Sequence, residues 1–176
     1  MTVGERIDLI RLMLPDLTED NIGKLQEGGY FTAPASTKYH GCYEGGLFDH
    51  SAKVAETLVE LTICNKLKWQ NPRSPWVVGM FHDICKMDCY NPSVDEENRT
   101  YSYSEDTLYK GHGDKSIILL SPFLSLTHED IACIRYHMGA FTEKDEWKYY
   151  TRAIQKYPNV LWTHHADMIA SHIKGV

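Results

Sequence analysis

An adjacent histidine and aspartate, His82-Asp83, lie inside WVVGMFHDICK, the most apolar helical stretch of the chain. An imidazole and an ionised carboxylate are costly in such surroundings unless paired, hydrogen-bonded or bound to a cation. A carboxylate can bridge two metal ions through its two oxygens while the neighbouring imidazole binds one of them. The doublet therefore suits a metal centre, and it equally suits a buried His–Asp hydrogen-bonded pair. Neighbouring helix positions differ by about 100°, so both side chains reach one site only if it lies along that side of the helix.

Other residues shift the balance. His50, in FDHSAKVAE, falls in phase with Leu47 and Val54 on the apolar side of its helix. His137 follows Cys133 and Ile134 by one turn, and Asp167, in THHADMIA, shares a face with Val160 and His164. His112 stands between Gly111 and Gly113, which let a backbone come close to a metal or phosphate. Any one of these reads as a satisfied core residue. Separate helices each sending His or Asp toward a core point instead to shared cations. Such nitrogen and oxygen donors suit Mn, Fe, Co, Ni or Zn, and the sequence does not choose among them or between one ion and two.

The elements that must position these residues are helical. Residues 3–14 read as an amphipathic helix ended by Pro15. Thr18 caps a short second helix that stops at Gly28-Gly29. Residues 30–45, with Pro34, Gly41 and Gly45, read as a loop. Apolar residues recur at helical spacing from Gly46 to about Leu67, and 75–87 form a nearly all-apolar helix. Residues 88–110 are polar and tyrosine-rich and predict a small β-hairpin or ordered loop. A helix from Gly113 to Ser121 is stopped by Pro122. The capping box at Thr127–Asp130 opens another that Gly139 closes. Residues 143–156 and 158–173 complete the set, with Pro158 in a first turn. The expectation is one all-α domain over 1–176, about seven helices with at most a tiny hairpin.

Composition narrows the function classes. The 176 residues carry a net charge of −6, which argues against a duplex nucleic-acid binder but not against a nucleotide substrate, since a metal supplies positive field locally. No apolar run approaches the roughly 18 residues of a membrane span, and the amino terminus lacks a signal-peptide layout. The five cysteines are odd in number and irregularly spaced, so free thiols in a cytoplasmic protein are expected rather than disulfides. Cys85 and Cys89 alone are read as two thiols rather than a metal pair.

The order His, His-Asp, His, His, Asp resembles the HD-domain phosphohydrolases. YHGCYEGGLFDHSAKVAE looks like that family's first histidine helix, and VVGMFHDICK looks like its second signature, with Cys85 where glycine is usual. LYKGHG is similar to its hairpin followed by Gly-His; YHMG stands where many members have His-His-Gly; LWTHHADMIASHI resembles the closing helix. The likeness spans roughly residues 38–174, and the first 37 residues add no motif.

The resemblance implies an HD-type helical bundle with His50, His82, Asp83 and Asp167 on one metal. Asp83 would bridge to a second held by His112 and His137. It implies a metal-dependent phosphohydrolase or phosphodiesterase that hydrolyses a small nucleotide or related phosphate ester with a metal-activated water, Asp83 being central to catalysis and Lys86 contacting substrate phosphate. The same ligands also hold di-iron centres in some HD-fold oxygenases, and a non-catalytic nucleotide-binding module is a third reading. His164 or His165 is a candidate to orient Asp167. His40, His128 and His172 read as surface residues, Tyr101, Tyr103 and Tyr109 as hairpin packing, and Arg135 and Arg152 as solvated.

Overall fold

The computed structural model describes residues 1–92 and 101–176. Among these are eight α-helices: α1 (Val3–Met13), α2 (Glu19–Glu27), α3 (Gly46–Asn65), α4 (Ser74–Phe81), α5 (His112–Leu120), α6 (His128–Arg135), α7 (Trp147–Lys156) and α8 (Asn159–Ile169). Strands β1 (Tyr90–Pro92) and β2 (Tyr101–Tyr103) pair antiparallel, Tyr90 opposite Tyr103. The fold is mostly α with one small hairpin; the middle of the tyrosine-rich stretch, 93–100, lies outside the described residues. No helix among the described residues is long and apolar enough to cross a membrane.

The caps fall where side-chain chemistry places them. Thr18 accepts from Asn21 N–H, and Thr127 and Asp130 form a reciprocal box at the start of α6. Three boundaries differ from expectation. The apolar helix ends at Phe81, with His82 as its cap, and a 3₁₀ turn runs over Ile84–Asp88. Asp83, at φ −110° and ψ 16°, is the break. A continuous helix would splay His82 and Asp83 by about 100°; breaking it turns both toward one point. Likewise α6 stops at Arg135 rather than Gly139, with Tyr136 at φ −110° and ψ 17°. A 3₁₀ turn over Lys144–Glu146 precedes α7, so the helix expected from 143 begins at Trp147.

The central pair is α3 against α4. Gly79 permits it: a Cβ there would lie 2.3 Å from Ala55 Cα. The 30–45 segment is irregular yet inside the core. Tyr30 and Phe31 are buried and meet Phe48 at centroid distances of 5.8 and 5.5 Å, edge-on or tilted as aromatic quadrupoles prefer. The amino-terminal residues also serve the site. Buried Arg6 on α1 grips Asp49 through two bonds of 2.9 and 3.2 Å and donates to the Phe31 and Glu44 carbonyls. A bidentate guanidinium–carboxylate pair has a fixed geometry. It pins the first turn of α3 beside His50.

Candidate metal centre

All six sequence-chosen residues converge. His50 comes from α3, His82 and Asp83 from the α4 break, His112 from the first turn of α5, His137 from just past α6, and Asp167 from α8. His50 Nε2 lies 3.2 Å from Asp167 Oδ1 and 4.0 Å from Asp83 Oδ2. His82 Nε2 is 3.6 Å from Asp83 Oδ2. The other oxygen, Oδ1, faces His137 Nε2 at 3.3 Å and His112 Nδ1 at 3.6 Å. Asp83 thus presents one oxygen to each side, and His50, His82 and Asp167 group on one, His82, Asp83 and His137 around the middle, Asp83, Cys85 and His112 on the other.

Backbone carbonyls fix the three buried imidazoles. Nδ1 of His82 meets Gly79 O at 2.8 Å, that of His137 meets Ile134 O at 2.7 Å, and that of His50 meets Val176 O at 2.9 Å. A carbonyl only accepts, so each Nδ1 carries the proton, and in the neutral ring the lone pair lies on Nε2, aimed inward. His50, His82 and His137 are fully buried, yet their Nε2 atoms and Asp83 Oδ1 have no hydrogen-bond partner among the described residues. Such orphans are uncommon in native proteins and call for an explanation. Between His50 and Asp167 the facing atoms are two acceptors. A cation placed among them would satisfy all four, so the donor set fits a divalent metal.

Electrostatics agree. Burial would raise the Asp83 carboxyl, but Lys86, whose Nζ sits 2.6 Å from Oδ2, and then the histidines hold it well below the ordinary range. Lys86 is 11 % exposed, so it is no solvated helix end; burial works against its charge, and Asp83 more than offsets that and raises its pKa. Burial pushes His82 down to about 4, keeping it neutral and ligand-competent. His137 is also disfavoured as a cation by burial, but facing Asp83 reverses the sign and raises it.

The supporting contacts were the least visible beforehand. Ser116 on α5 donates to His82 O at 2.8 Å and accepts from Cys85 N at 3.2 Å, satisfying both groups freed by the helix break. Buried Lys115 pairs with Asp88 at the end of the same turn. His164 bonds His137 O at 2.8 Å and so holds the His137 backbone; it is Ser171 Oγ, 3.2 Å from Asp167 Oδ1, that orients the aspartate, and His165 is exposed. Gly113 brings α5 against the Arg135 backbone, 2.3 Å from where a Cβ would stand, rather than against a ligand. Arg135 is bound by Asp114 and Glu146.

A cavity of about 740 Å³ opens over Asp83, Lys86, His112 and Asp167. Its walls include His40, Tyr90, Tyr103, Met138 and Phe141, with exposed His172 on its border. His40 is therefore half-buried in the cavity wall rather than a surface residue: its ring centroid lies 4.9 Å from that of His50, tilted by 38°, and burial, then His50 and Lys86, lower its pKa to about 4. The loop carries it inward because Ser36 Oγ donates to His40 O and Ala35 N–H to Gly41 O. His128 is exposed, as expected, and all five cysteines are free. No family model, curated protein or solved structure matches the chain.

Proposed function

We propose that this chain is a metal-dependent phosphoric ester hydrolase of HD type. It would act on a nucleotide or related small phosphate ester, with one or two divalent transition metal ions held by His50, His82, Asp83, His112, His137 and Asp167. The observation that carries the reading is the set of four buried, partnerless donor atoms converging beside an open cavity. Cations held there would supply Lewis acidity, neutralising phosphoryl charge and making water nucleophilic near neutral pH.

The charge of the cavity says what a phosphate substrate would need. Without cations, Asp83 and Asp167 face the cavity, and Lys86 is the single lysine among its described lining residues. A phosphate dianion would meet repulsion there, and only added positive charge converts the cavity into an anion site. Lys86 keeps its charge at that wall and is the group to contact substrate phosphate. Tyr90 and Tyr103, with ring centroids 5.3 Å apart, and His40 offer flat surfaces to a base or other ring. A volume of about 740 Å³ lies within the usual range for small-ligand pockets.

The test is metal content measured together with hydrolysis of nucleotides, cyclic nucleotides and aryl phosphates. The expected result is metal-dependent release of phosphate or of a phosphomonoester, and its absence in Asp83→Ala. Turnover with no iron present removes the di-iron oxygenase. Nucleotide binding without turnover in metal-loaded protein contradicts the hydrolase and favours a binding module.

A further inference from the structure

Cys85 lies two residues past Asp83 in the 3₁₀ turn, and it is 1 % exposed. Its Sγ lies 3.5 Å from His112 Nδ1, and Sγ, Nδ1 and an Asp83 oxygen all fall within 4.8 Å of one another. For a cation bound tetrahedrally at about 2.3 Å from sulfur and about 2.05 Å from nitrogen, the two donors sit roughly 3.6 Å apart. The observed spacing matches. Asp83 Oδ1, buried and without a hydrogen-bond partner among the described residues, borders this corner, and His137 Nε2, likewise buried and unpartnered, faces it at 3.3 Å.

Cys85 is not committed to its neighbouring cysteine. Cys89 Sγ turns away to the Cys85 carbonyl at 3.0 Å and to Lys115 Nζ at 3.5 Å. The backbone that presents Cys85 is fixed by Ser116, which accepts from Cys85 N–H. A bound metal deprotonates a coordinating thiol outright.

We infer that Cys85 is a thiolate ligand of the second metal position, completing with Asp83, His112 and His137 a sulfur-containing corner that selects zinc, cobalt or iron over manganese or magnesium. Binding releases the Cys85 proton to solvent as the metal–sulfur bond forms. The selectivity follows from donor softness: oxygen and imidazole alone accept manganese, and a thiolate shifts preference to softer ions. This inference rests on the metal-centre reading above.

Cobalt(II) titration of the purified full chain tests it, read by near-ultraviolet thiolate-to-cobalt charge-transfer absorption and by metal stoichiometry. The expected result is a band that saturates with cobalt, persists in Cys89→Ser and is lost in Cys85→Ser. X-ray absorption of zinc-loaded wild-type protein provides a measurement that needs no variant, and one sulfur at about 2.3 Å is expected. Cobalt binding without the band, a band that survives Cys85→Ser, or zinc with only nitrogen and oxygen neighbours overturns the cysteine ligand while leaving the metal centre intact. Failure to bind cobalt or zinc at all overturns both.

Discussion

His82 and His112 face the same carboxylate from opposite sides and are held in contrasting ways. His82 is fully buried, its Nδ1 tied to Gly79 O at 2.8 Å, and it shares its side with His50 and Asp167, each braced by its own hydrogen bond. The His112 side chain is 45 % exposed at the start of α5, and among the described residues its ring contacts are Cys85, Asp83 and His137 rather than a backbone carbonyl. One half of the candidate centre thus has its imidazoles and Asp167 held by hydrogen bonds, while the other includes an imidazole, His112, that is not held by a backbone carbonyl. Preorganised donors lose little freedom on binding. The deep half is therefore expected to retain its ion, and the shallow half to exchange its ion with solvent.

Substitutions on either side of Asp83 separate the two halves. Asp83→Ala removes the group common to both halves and carries the largest effect: loss of bound metal and a fall in activity on the order of 10³-fold, as for loss of a central electrostatic group, checked by elemental analysis and steady-state rates. Next come His82→Ala and His112→Ala, compared by thermal unfolding with zinc. At 100 times its dissociation constant a ligand stabilises by about 2.7 kcal/mol, a rise of roughly 5–10 °C in Tm for a chain of this size. That rise is expected to vanish in His82→Ala and to survive in large part in His112→Ala. Equal losses would erase the distinction between the halves.

Gly79→Ala acts without touching a ligand. It drives a Cβ to 2.3 Å from the Ala55 backbone, costing about 3 kcal/mol of stability, at the upper end for overpacking, and moving His82 relative to His50. Chemical denaturation and zinc affinity should both register it. The smallest effect is expected of Ser116→Ala, which strands His82 O and Cys85 N: about 1–2 kcal/mol by the cost of unmade buried hydrogen bonds, readable as a lower denaturation midpoint with unchanged slope.

Local signals were legible in the sequence and relational ones were not. Thr18 and Thr127 marked their helices because a cap is decided within four residues. The inward phase of His50, His137 and Asp167 was visible because apolar neighbours share their faces. The break at Asp83 was hidden: WVVGMFHDICK scores as one continuous helix, and what stabilises the break is Ser116, 34 residues from His82. Arg6 reaching Asp49 across 43 residues was hidden for the same reason, which is why the amino-terminal stretch offered no motif yet braces the site. His40 read as a surface residue because it lies in a glycine-rich segment without periodicity, although Tyr30 and Phe31 at the head of that segment belong to the aromatic core. The contact of Cys85 with His112 is invisible to cysteine spacing because the histidine lies 27 residues away, at the start of α5.

Anomalous diffraction at the zinc edge from crystals of the zinc-equilibrated chain tests the centre most directly. The expected map has a peak about 2.0–2.1 Å from His50 Nε2 and His82 Nε2, with Asp167 and Asp83 in its coordination sphere, and a second, weaker peak beside His112 and His137. Density for zinc only at the molecular surface, with the buried Nε2 atoms unliganded at saturating zinc, would contradict it.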